Sequence, residues 1–284
     1  MVSPAVPATP SPSPLADAYA RLATLPAGPR VTERPAAHPT PRGAGWVGAD
    51  ELADAGPVLD AFLAWDDDQV LRDYGHQGRP DVIAGFGLHR YAWPACLLFT
   101  VPWLLARRVP RLPADQVAFH RSTGRISVRA DRFACLPDDP AAALPGARVV
   151  PDEEALRAEV RAAVAEHLGP VLEGFGPRMR RGRRALWGIV TDEVVEGLWY
   201  VAEQWGEGRR ARAELDLLLP GATAPYTGGS GFRTLTGPAG EELPTRDRAG
   251  CCLFYTIRPA DTCVTCPRTR DADRVARLTA AAAA

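Results

Sequence analysis

The chain of 284 residues contains no lysine and no asparagine. All of its positive charge is therefore arginine, which, with so much alanine, reads as a GC-rich coding bias rather than a functional choice. Its 33 basic and 34 acidic side chains leave a net charge of −1, so no global field draws it to nucleic acid or to a membrane. The opening MVSPAVPATPSPSP lacks a charged n-region followed by an apolar h-region. It is not a secretory signal, and residues 1–12 read as a disordered Pro/Ser tail. The expected location is the cytoplasm, where clustered thiols serve metals or redox chemistry. There is no G-x-G-x-x-G after a strand and no G-x-x-x-x-G-K-S/T, so no NAD, FAD or ATP site is recognised. Gly228-Gly229-Ser230-Gly231 lacks the following lysine and reads as a flexible turn. The apolar run from Tyr91 to Ala106 is shorter than the roughly 20 residues a spanning helix needs and is interrupted by Pro94 and Pro102. It reads as a buried core helix, with at most peripheral membrane association through Arg107 and Arg108. No internal repeat is present.

What the chain does have is six cysteines, four of them near its end. Cys251, Cys252, Cys263 and Cys266 form C-C-x10-C-x2-C, and so short a segment lets all four thiols reach one small volume. A metal or iron–sulfur centre is the leading expectation. Structural zinc sites separate paired cysteines by about two to four residues, so the adjacent pair is unusual. Neighbouring side chains on a strand point to opposite faces, and both can serve one centre only if the backbone bends. Gly250 is the expected source of that bend. Cys96, in the apolar run, and Cys135 read as buried small hydrophobes.

With Arg248 before the pair, Phe254-Tyr255 after it and Pro267 after the last cysteine, this motif resembles that of the FhuF-like ferric-siderophore reductases. The resemblance covers about residues 246–268. It implies a 2Fe–2S cluster held by Cys251, Cys252, Cys263 and Cys266. It also implies a cytoplasmic enzyme that reduces a ferric siderophore by one electron. Relatives are glycine-rich before the third cysteine and carry a glycine after it; here Arg258-Pro259-Ala260-Asp261 and Val264 stand there. Upstream, the mostly helical character is similar to the C-terminal domain of the aerobactin-type siderophore synthetases.

Periodicity predicts an α+β chain, mostly helical, with a small antiparallel element. Ser13-Pro14 reads as an N-cap and first helical position before Leu15, Tyr19, Leu22 and Leu25. Helical patterns follow over residues 50–74, 80–90 and 94–108, the last two separated at Pro94. Alternation around Ser122-Thr123-Gly124 predicts a β-hairpin over 116–132. Pro151-Asp152-Glu153-Glu154 opens a helix with acids in its first turn, and further helices are expected over 185–206 and 270–282. Residues 221–250 read as loops around short strands. The expected division is a helical domain over 13–240 and a cluster-binding segment over 241–284.

A cluster with four thiolate ligands is anionic and gains a further negative charge on reduction, which nearby cations ease. Arg248, Arg258, Arg268 and Arg270 are therefore candidates for tuning the cluster or docking its donor, or else solvated surface arginines. Arg180, Arg181, Arg183 and Arg184, with Trp187, form a candidate surface for an acidic donor or an anionic chelate; core packing is the plain alternative for Trp187. No recognition motif accompanies the arginines, so nucleic acid is not an expected partner. The five histidines show no ligand spacing and read as structural or surface residues. Lacking a nicotinamide site, a reductase of this kind takes electrons from an external ferredoxin or reductase protein. The alternatives are a non-catalytic protein stapled by a four-cysteine zinc site, or an iron–sulfur redox or iron sensor.

Overall fold

The computed structural model describes residues 13–26, 28–260 and 262–282, so the expected tail over 1–12 lies outside the described residues. The molecule is mostly helical with small mixed sheets, as periodicity predicts. In chain order it runs α1 (Ala16–Leu22), β1 (Val31–Glu33), β2 (Trp46–Gly48), α2 (Ala49–Ala53), α3 (Pro57–Tyr74) and α4 (Pro80–Ala106). Then come β3 (Arg108–Pro110), β4 (Val117–His120), β5 (Arg125–Val128), β6 (Phe133–Cys135) and β7 (Ala147–Val149). The remainder is α5 (Glu153–Met179), α6 (Arg183–Gln204), α7 (Gly208–Leu218), β8 (Phe232–Thr236), β9 (Glu242–Arg246) and α8 (Asp271–Ala282).

The core is built on α4, which packs against α1, α3, α5 and α6. The two helices expected on either side of Pro94 are one continuous helix. An interior proline costs about 3 kcal/mol in an isolated helix. Here the run from Val82 to Leu104 is almost wholly buried, and that packing overrides the local penalty. Pro102 has no N–H to offer the carbonyl four residues earlier, and that carbonyl, on Leu98, instead accepts the Tyr19 hydroxyl at 3.1 Å. Among the described residues no helix is long and apolar enough to cross a membrane. Arg107 pairs with Glu153 and Glu214, and Arg108 with Asp139, so both are engaged within the protein.

Elsewhere one expected helix is two. The 50–74 pattern breaks where Ala55 takes φ 54°, Gly56 caps, and Pro57 starts α3. The first helix starts at Ala16 rather than Pro14, and the Ser13 hydroxyl accepts the Leu15 N–H at 3.2 Å. The hairpin is present as β4 and β5, turning at Gly124 with φ 65°, and β2 and β1 extend it to the order β1-β5-β4-β2. β3, β6 and β7 form a second sheet, and β8 pairs with β9. Helix α5 opens where Asp152 accepts the Ala155 N–H at 2.8 Å.

Candidate functional site

Helix α6 builds the cysteine site from below. Its Asp192 is fully buried and accepts three hydrogen bonds, each of 2.8 Å: from Arg246 Nη2, and from the backbone N–H groups of Ala249 and Gly250. Arg248 Nε approaches the same carboxylate at 3.5 Å. Burial pushes the Asp192 pKa up, and Arg246 and Arg248 oppose that shift. One turn on, Glu196 accepts from the Thr265 hydroxyl and pairs with Arg246 Nη1 at 3.2 Å. Helix α8 closes the other side, where buried Arg274 donates to the carbonyls of Arg246 and Cys266 and pairs with Asp247. The cysteine segment is thus fastened by its backbone before its sulfurs do anything.

The bend in the segment lies at Leu253, with φ 63°, rather than at Gly250. Gly250 sits against Asp192 and contributes its N–H. After Leu253 a short 3₁₀ turn, Phe254–Thr256, carries the chain away. All six cysteines are free thiols; Cys96 and Cys135 are buried away from this segment, as their sequence contexts predict.

Each of the four clustered sulfurs has a nitrogen donor. Leu253 N–H lies 3.4 Å from Cys251 Sγ, Arg268 N–H lies 3.5 Å from Cys266 Sγ, and Arg248 Nη1 lies 3.8 Å from Cys263 Sγ. The Phe254 N–H serves Cys252. The thiols meet in two pairs, Cys252 with Cys263 and Cys251 with Cys266. Among the described residues, no three His, Cys, Asp or Glu side chains converge on one point as a single ion would require. The Cys263 thiol draws the Cys252 pKa down to about 5, helped by Phe254, His89 and Arg248, while that of Cys263 is raised in turn. Burial raises the Cys251 pKa. Burial works against the charge on Arg248, but Glu196, Asp192 and Glu193 outweigh it and keep it a firm cation beside the sulfurs.

Cys252 and Cys263 also form part of the wall of an open cavity of about 560 Å³. Phe86, His89 and Trp93 of α4, Glu193 and Glu196 of α6, and Arg248, Phe254 and Thr262 complete it. A second cavity of about 610 Å³ shares Phe86, His89, Trp93 and Phe254, so the two adjoin; it runs on to Tyr74, Arg90 and Arg121. His89 Nδ1 bonds Glu193, while His89 Nε2, itself buried, has no partner among the described residues. Burial alone would lower the His89 pKa, but the Glu193 carboxylate raises it.

Of the four arginines flagged around the cysteines, only Arg248 brings its side chain to a sulfur. Arg258 and Arg268 lie over Tyr74 and Tyr255, at 5.8 and 4.2 Å from the ring centres, and Arg270 is exposed at the start of α8. Arg181 Nη1 donates to the Cys251 carbonyl at 2.9 Å, and Arg180, Arg183 and Arg184 are exposed nearby in sequence. Trp187 does not join them: it is buried edge-on to Tyr226 and belongs to the core.

Sequence reasoning missed His89, Asp192, Glu193 and Glu196. A signal existed for the last three, as acids inside the otherwise apolar stretch from Leu186 to Leu198. For His89 none did, because its partner is 104 residues away.

No curated protein matches the chain. Residues 248–268 match the family model for the FhuF 2Fe-2S C-terminal domain. That stretch begins at Arg248, whose side chain approaches Cys263 Sγ, and ends at Arg268, whose backbone N–H approaches Cys266 Sγ, and it takes in all four clustered cysteines. Over these residues the chain is similar to the FhuF 2Fe-2S C-terminal domain, which is consistent with an FhuF-like family.

Proposed function

We propose that the protein is a ferric-siderophore reductase whose cluster is held by Cys251, Cys252, Cys263 and Cys266. One observation carries the reading: two of the four thiols stand in the wall of a cavity large enough for an organic chelate. The donor set fits the cluster. Two irons take two thiolates each, and the four thiols lie close enough to act on one another. One nitrogen donor per sulfur supplies the outer-shell hydrogen bonds that such centres use to set their potential.

When bound, the cluster supplies a one-electron carrier, which matches the chemistry of iron release. Hard Fe³⁺ is gripped by charged oxygen ligands; larger, less charged Fe²⁺ is held more weakly by the same atoms. The chain positions and neutralises. Phe86, Trp93 and Phe254 offer apolar faces to the organic scaffold. Arg248 offsets negative charge at the sulfurs. No bond in the chelate has to be broken by a nucleophile or general base. The site works in the cytoplasm, on electrons from another protein.

Anaerobic purification with iron, zinc and sulfide analysis tests the ligand set. About two irons and two sulfides per chain are expected, with colour that bleaches on dithionite. Serine at any of Cys251, Cys252, Cys263 or Cys266 removes that colour; serine at Cys96 or Cys135 leaves it. The loaded protein then converts a ferric chelate to Fe²⁺, read with a ferrous-specific dye. One zinc and no sulfide, or a normal cluster in Cys252→Ser, overturns the assignment.

A further inference from the structure

We propose that an acidic one-electron carrier protein docks on the turn between α5 and α6, beside Cys251 and away from the chelate cavity. The inference rests on the cluster reading above and adds the face by which the electron arrives.

The turn is charged without internal reason. Arg180 ends α5 in the left-handed region, with φ 53°, and Gly182 opens α6. Arg183 and Arg184 then occupy the first turn of α6, which contains no acidic residue. A helix N-terminus already carries partial positive charge, so arginines there are unfavourable unless an anion is supplied. Arg180, Arg183 and Arg184 are exposed and engage no carboxylate, hydrogen-bond acceptor or ring among the described residues. Elsewhere the arginines are widely spent on internal pairs, as with Arg107, Arg108, Arg178 and Arg246. A net charge of −1 thus conceals a local cationic surface.

That surface is tied to the redox segment. Arg181, in the middle of the turn, bonds the Cys251 carbonyl at 2.9 Å. Cys251 is partly exposed, and it is outside the pair, Cys252 and Cys263, that lines the cavity. None of the four arginines lines that cavity either. A carrier on the turn and a chelate in the cavity therefore meet different cysteine pairs and do not compete. One electron leaves the reduced carrier, which is oxidised, and arrives at the four-cysteine site, which is reduced; no proton moves. Opposite charge at such a contact speeds encounter and fixes orientation.

The test is titration calorimetry of the cluster-loaded protein with an oxidised, acidic plant-type ferredoxin. Ionic strengths of about 0.01 M and about 1 M shorten the screening length from about 30 to about 3 Å. Binding at low salt that weakens about tenfold or more at high salt is expected. The triple replacement of Arg180, Arg183 and Arg184 by Gln weakens it, and replacement by Glu weakens it about tenfold or more, with iron and sulfide content retained as the check on folding. Ferredoxin that fails to bind the wild type, or binds the Glu triple as tightly, overturns the proposal. Binding is read without a chelate. A protein that binds ferredoxin but leaves ferric chelates unreduced therefore sinks the reductase reading and leaves this one standing.

Discussion

Asp192 holds the cysteine segment by charge and geometry together. It is fully buried, and so is Arg246, the guanidinium it faces. Removing one partner of such a pair leaves the other an uncompensated buried charge, at about 3–5 kcal/mol. Asp192→Ala also orphans the N–H groups of Ala249 and Gly250, immediately before Cys251. The expected outcome is a melting temperature lower by several degrees and a sub-stoichiometric iron content. Asp192→Asn, which keeps an acceptor, falls between. An alanine variant with unchanged melting and full iron would show that the segment is held elsewhere. The cysteine motif was legible in the sequence because four cysteines lie close along the chain. Asp192 was not, because an acid in a helix looks the same whether it faces water or a buried arginine.

At the scale of elements, α4 shows how packing decides where a helix stops. Pro94 and Pro102 both read as breaks, yet neither ends it. For Pro102 the compensation is visible: the Leu98 carbonyl it strands is taken up by Tyr19 of α1. Tyr19→Phe should therefore cost about 1–3 kcal/mol, the penalty for a buried carbonyl left without a donor. Urea unfolding measures this, and a loss near zero would mean that water or a local shift satisfies Leu98. The opposite outcome occurs at Gly56-Pro57, where the chain does break. There Gly56 adopts the extended backbone of a cap and Pro57 takes the first helical position, where its missing N–H costs nothing. The strands β1, β2, β3, β6 and β7 have three residues each, too few for alternation to reveal them.

The whole molecule converges on His167, fully buried in α5 between α4 and the loop after β3. Its Nδ1–H donates to the Leu112 carbonyl at 2.7 Å, and its Nε2 accepts the Tyr91 hydroxyl at 2.7 Å. Burial lowers its pKa from 6.5 to about 4. The unfolded chain thus binds this proton more readily, so the folded state loses stability as pH falls from about 6.5 towards 4 and is unaffected above that window. The shift corresponds to roughly 3 kcal/mol over the full window. The His167 ring resonance should titrate near 4 by NMR, with stability falling over the same range. A midpoint near 6.5 would show the ring to be solvated.

By itself the sequence determined the helical character, the hairpin at Gly124, the four clustered cysteines and the inert placement of Cys96 and Cys135. Each of these depends on residues close together along the chain, where spacing is geometry. Tertiary structure alone decided that Trp187 is core, that α4 runs through its prolines, and that the bend falls at Leu253. It also decided that Cys252 and Cys263 face a cavity whose wall includes His89, while Arg181 holds Cys251. Those features require α4 and α6 to be brought against a segment some 50 to 170 residues further on, and only burial of their shared apolar faces does that.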